Sequence, residues 1–149
     1  MRALAIVSLA FLVGQGTRQG SPEEHLPANI TRLTHFGERA SWSPDDTRIA
    51  FMEKSFGDAY EVDVATRTIR LLTHYPHAGF LRVQFLPNGD YFLIGARTFA
   101  DIQTTRSRDE EMWVLKGSAK PGDRPLALDH KSSEGVAIDL NAPAPVVIM

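Results

Sequence analysis

The chain has 149 residues, no cysteine, and 16 Lys and Arg against 18 Asp and Glu, for a formal net charge of −2. That balance argues against a nucleic-acid partner, whose binding needs surplus cations on one face to displace counterions. The lack of cysteine excludes a disulfide scaffold, a thiolate zinc site and a cysteine nucleophile. A hydrophobic content of 43% with 23% charged residues belongs to a chain that buries a core rather than one that stays disordered.

The N-terminus has the layout of a secretory signal peptide over residues 1–16. Arg2 supplies one positive charge, Ala3 to Val13 is apolar except for Ser8, and Gly14 and Gly16 offer small residues at a cleavage site. As helix, the apolar run spans about 16 Å, roughly half a bilayer core, so no permanent membrane span is expected. The expected localisation is secreted or periplasmic. Residues 17–28, polar with Pro22 and Pro27, read as a flexible leader, and Asn29-Ile30-Thr31 fits a glycosylation acceptor in a eukaryotic secretory setting.

From there the chain repeats itself. Ile30-Thr31-Arg32-Leu33-Thr34-His35-Phe36 returns as Ile69-Arg70-Leu71-Leu72-Thr73-His74-Tyr75, an offset of 39 residues. Trp42-Ser43-Pro44-Asp45-Asp46 returns as Phe85-Leu86-Pro87-Asn88-Gly89 at an offset of 43, which also lays Ile49-Ala50-Phe51 on Phe92-Leu93-Ile94. A worn third copy starts at Pro125-Leu126-Ala127-Leu128. Within each copy the pattern is β. Turn residues separate short apolar runs at Ile49–Met52 and Tyr91–Ile94, and Tyr60 to Val64 alternates with period two. Four short strands per unit of 39 to 43 residues is the size of a propeller blade.

The run Leu33-Thr34-His35 … Ala40-Ser41-Trp42-Ser43-Pro44-Asp45-Asp46 … Ile49-Ala50-Phe51 resembles the WD40-like PD40 repeat of the TolB-type β-propellers. The second copy departs at Phe85-Leu86, and the third, with Val136-Ala137-Ile138-Asp139 in the motif's place, departs further. The resemblance implies an all-β fold, an incomplete β-propeller of two full four-stranded blades plus a partial third. Their expected bounds are about 29–68, 69–123 and 124–149. Closed propellers hold typically 4–8 blades of roughly 40–45 residues. The count therefore predicts a fragment, or self-association to complete the ring, and the apolar stop at Val146 to Met149 predicts a truncated reading frame.

Candidate residues follow from strand direction. In an antiparallel meander the loops after the second and fourth strands emerge on one face. The loops after a fourth strand carry His35, Phe36, Glu38, His74, Tyr75 and His77, and those after a second strand carry Lys54, Asp58, Arg97, Asp101, Arg106 and Arg108. His35, Lys54, Asp58, His74, His77, Arg97 and Asp101 form the expected partner-binding face. Trp42 and Phe85 are expected as buried wedges between blades, and Asp45-Asp46 as turn caps rather than paired catalytic carboxylates. His74-x-x-His77 has a metal-site spacing without a third ligand nearby in sequence, so no metal or cofactor is expected. Nucleophile-elbow, phosphate-loop, dinucleotide and zincin motifs are absent.

The expected function is therefore a non-catalytic module that presents loops to a protein or peptide partner. The resemblance leaves two alternatives open. One is a remnant of the propeller of a prolyl-oligopeptidase-like serine peptidase without its hydrolase domain; the other is a propeller that binds a small ligand or sugar.

Overall fold

A computed structural model describes residues 20–131 and 135–148, divided between two compact units, Met1–Thr31 and Arg32–Met149. The expected signal peptide lies outside the described residues. Among the described residues of the first unit a 3₁₀ turn, Pro22–His25, falls within the expected leader, and the capping hydroxyl of Ser21 accepts the Glu23 N–H at 3.3 Å. No helix among the described residues is long and apolar enough to cross a membrane.

The second unit is built of three antiparallel sheets. The first contains β1 (Glu38–Trp42), β2 (Arg48–Met52), β3 (Ala59–Asp63) and β4 (Ile69–Leu71), in chain order. The second contains β5 (Phe80–Phe85), β6 (Tyr91–Ala96), β7 (Glu110–Leu115) and β8 (Leu126–Lys131), again in order. The third is the pair β9 (Ala137–Ile138) and β10 (Val147–Ile148), and none of the sheets closes on itself. The fold is all-β apart from short helical turns. One of these, α1 (Ile102–Ser107), occupies the long connection between β6 and β7, capped by Asp101, whose carboxylate accepts the Thr104 N–H at 2.9 Å.

Turn chemistry sets the hairpins. Asp45 Oδ1 accepts from Ser43 Oγ at 2.6 Å and from the Thr47 N–H and hydroxyl at 3.2 and 2.8 Å. These donors, the Ser43 hydroxyl first, hold the Asp45 carboxyl down at about 2. Asp46 takes a left-handed φ of 57°, so the acidic pair closes a turn.

The second sheet is sandwiched. Phe85, Tyr91, Leu93 and Leu115 pack against Ala50, Met52, Ala59 and Leu72 of the first sheet and its edge. Leu86, Phe92, Ile94 and Met112 pack against Val136, Ile138 and Val147 on the other side. Alternate residues of β6 serve opposite neighbours, so all six are buried. Small residues on the first sheet admit large ones from the second, and each buried Phe or Leu stabilises by about 1.5–3 kcal/mol.

Three expectations shift against this frame. A periodic pattern can be cut anywhere, and hydrogen bonding chooses the cut. Ile69–Leu71 pairs with β3 and Leu126–Lys131 with β7, so the expected repeat boundaries near 69 and 124 each fall one strand early. Ile30 to Leu33, the counterpart of β4, forms no strand among the described residues.

Trp42 pairs with Ile49 and Phe85 pairs with Tyr91, which makes the β2 to β6 offset 42 rather than 43. The hairpin between β5 and β6 is one residue shorter. A one-residue slip exchanges sheet faces, so Ile49 and Phe51 correspond to Tyr91 and Leu93. Trp42 and Phe85 are thus equivalent in register but opposite in burial. Phe85 is 0% exposed beneath the first sheet, whereas Trp42 is 49% exposed, because its face of the first sheet looks away from the second. The expectation that Trp42 is a buried wedge is corrected.

One charged cluster crosses between the first two sheets. Glu61 accepts from Arg70 Nε at 2.7 Å, Arg48 Nη1 at 3.2 Å and the Tyr91 hydroxyl at 2.5 Å, while Arg70 Nη2 donates to that hydroxyl at 2.7 Å. A buried carboxylate is tolerable only with donors of this kind around it.

Candidate functional site

The connection from β4 to β5 crosses from the first sheet to the second, and two polar devices fix its path. Thr73, buried two residues beyond β4, accepts the Ala59 N–H at 2.9 Å and donates to Asp58 Oδ1 at 2.8 Å. His77 Nε2 lies 2.9 Å from the same oxygen, and the Gly79 N–H donates to His77 Nδ1 at 2.8 Å. A backbone amide can only donate, so Nδ1 is the acceptor and Nε2 carries the proton toward Asp58. His74 Nδ1 stands 3.5 Å from the other Asp58 oxygen.

Gly79 is the pivot. Its φ of 90° is left-handed, and a Cβ there would collide with the Phe56 backbone. That close approach lets the Phe56 N–H donate to the Phe80 carbonyl at 2.9 Å and the Phe80 N–H to the Gly57 carbonyl at 3.0 Å. The β2–β3 loop is thereby stitched to the start of β5.

This arrangement opens a cleft of about 230 Å³ lined by Tyr75, His77, Phe80, Arg97, Trp113 and Arg124, with Pro76, Ala96 and Pro125 completing the wall. The rings form a continuous surface, with His77 4.8 Å from Tyr75 and 5.0 Å from Phe80, and Phe80 6.4 Å edge-on to Trp113. The Trp113 indole N–H donates to the Gly95 carbonyl at 2.7 Å, which fixes the ring's orientation. Each arginine lies against a ring, Arg97 at 5.1 Å from Trp113 and Arg124 at 5.5 Å from Tyr75. Arg97 is also paired to Glu111 at 2.7 Å and Asp129 at 2.8 Å. Burial pushes the Tyr75 phenol up to about 12, Arg124 pulling against the rise and Asp58 adding to it.

Of the residues expected on the binding face, Asp58, His74 and His77 come together, and His77 and Arg97 share the cleft. His35 faces Arg32 at 3.3 Å, Asp101 caps α1 and Lys54 sits in the exposed turn after β2; none of the three lines the cleft. Sequence reasoning missed Phe80, Trp113 and Arg124. Trp113 stands in a short apolar run and Arg124 in no motif, so neither carries a functional spacing in the sequence. They reach the cleft because β7 and the β7–β8 turn lie beside β6 and Arg97.

Chemically, the polar trio is a positioning device. The Thr73 hydroxyl and the His77 imidazole both point at Asp58 Oδ1, whereas an activated nucleophile would have its hydroxyl bonded to the imidazole. No group of three or more His, Asp or Glu side chains among the described residues is arranged to hold a metal ion. What the cleft offers is aromatic surface and guanidinium donors.

No protein-family model matches this chain, and no curated protein matches it.

Proposed function

We propose that the chain is a non-catalytic repeat protein of the β-propeller type, exported by its N-terminal segment, that holds a peptide stretch of a protein partner in the Tyr75–Trp113 cleft. Two chain-ordered four-stranded meanders stacked face to face support the blade reading. The resemblance to TolB-type repeats adds the expectation of an envelope or extracellular partner. The observation that carries the proposal is the cleft itself, where rings from one loop and two strands converge with two arginines. Rigid aromatic anchors with arginine are the composition of surfaces that bind peptides and proteins. Its volume lies below the range of drug-sized ligand pockets and suits one or two side chains of a linear segment.

The Trp42 face extends the reading to self-association. Its equivalent on the second sheet is covered by the first sheet, so a second copy could supply the missing cover.

An array of linear peptides probed with the full chain tests the cleft. Binding by a defined subset is expected, with Arg97→Ala abolishing most of it. An array with no binders, or one indifferent to Arg97→Ala, would sink the proposal.

A further inference from the structure

Resting on that reading, we infer that the cleft selects a peptide carboxylate, gripped by Arg124 beside Arg97, with the neighbouring side chain laid on Tyr75 and Trp113. The charge pattern argues for it. Two guanidinium groups line a space of about 230 Å³ that no acidic side chain lines. Arg97 has its counter-ions in Glu111 and Asp129. Arg124 has none, for among the described residues its charge meets only the Tyr75 ring, at 5.5 Å. Asp58, which lies behind His77, is already committed to Thr73 and His77.

An arginine whose charge lies over a ring has no hydrogen-bond acceptor there to occupy its donors, and a planar fork of N–H groups matches a carboxylate bidentately. The Tyr75 hydroxyl, protonated at neutral pH, offers one more donor at the same wall. Arg97 offers no free fork, since its Nε and Nη2 are taken by Glu111 and Asp129. The apolar remainder, with Phe80 and two prolines, suits the side chain adjoining the carboxylate.

The carboxylate could be a chain terminus or an Asp or Glu side chain, and the test separates the two. In the full chain carrying Trp42→Phe, Trp113 is the sole tryptophan and its emission reports on the cleft. Three N-acetylated probes are titrated: Ala-Phe free acid, Ala-Phe amide, and Asp-Phe amide. The expected result is that one acid-bearing probe binds about tenfold tighter than the Ala-Phe amide, and that this advantage falls with added salt. A tighter free acid assigns the site to C-termini, and a tighter Asp-Phe amide assigns it to side chains. Arg124→Ala should bring acid and amide within about twofold while the amide still binds; Arg124→Lys should restore part of the gap. Equal binding of all three probes overturns the carboxylate selection and leaves peptide binding standing. The same holds for an acid preference that survives Arg124→Ala. No binding by any probe overturns both. Arg124 is exposed and touches only a ring, so its variants are expected to fold, which circular dichroism checks.

Discussion

Replacing Glu61 by Gln tests whether the two four-stranded sheets are held in register by the charged cluster between them. The Glu61 side chain is 9% exposed and takes donors from three residues, Arg70, Arg48 and Tyr91. Removing one partner of a buried ion pair costs about 3–5 kcal/mol, because the other charge is left uncompensated. Here the stranded arginines are 30% and 37% exposed, so water takes up part of the loss and about 2–3 kcal/mol remains. Tyr91→Phe keeps the buried ring and leaves Glu61 its two arginines, so it should cost about 1–2 kcal/mol. The two residues share one hydrogen bond, which makes the double variant less destabilised than the sum, by at least about 0.5 kcal/mol. Urea unfolding read at constant m-value measures all three. A Glu61→Gln midpoint within about 0.5 kcal/mol of the parent, or strict additivity in the double variant, would refute the reasoning.

Two further predictions use the turns and the titrating groups. Gly79 and Gly89 both have left-handed φ, 90° and 81°, but a Cβ at Gly79 meets the Phe56 backbone while at Gly89 it meets nothing. Gly79→Ala should therefore cost about 3 kcal/mol or more and Gly89→Ala about 1 kcal/mol; equal costs by chemical denaturation would discount the Gly79 approach. Stability should also depend on pH at both extremes. Tyr75 and Tyr91 are raised above the ordinary phenol value, chiefly by burial, so their contribution is full below about pH 10 and is lost as pH rises through the folded values, about 12 for Tyr75. Tyr75→Phe and Tyr91→Phe should each flatten that alkaline limb. Asp45, held down at about 2, contributes above its unfolded value near 4 and loses that contribution as pH falls toward 2. An unfolding series showing no smaller acid loss in Asp45→Asn would contradict its capping role.

The strand content, the hairpin turns and the repeat were legible in the sequence because they depend on neighbours. Period-two alternation at Tyr60–Val64, the Pro-Asp and Pro-Asn turns, and the return of Leu-Thr-His after 39 residues each report local backbone preference. Meander direction brought Asp58, His74 and His77 to one end, since consecutive hairpins reverse the chain in a known order.

Tertiary structure alone decided what those elements face. A periodic sequence carries no phase, so hydrogen bonding between β3 and β4 placed Ile69–Leu71 in the first sheet. A hairpin shorter by one residue turned the β6 alternation over, and only pairing with β5 revealed it. Trp42 and Phe85 fill matching positions in the sequence, yet one is half-exposed and the other buried, because burial belongs to the neighbouring sheet rather than to the residue. The cleft shows the same division. Its histidine and Arg97 stood in loops that sequence reasoning had marked, while Trp113 and Arg124 joined them only through packing between distant segments.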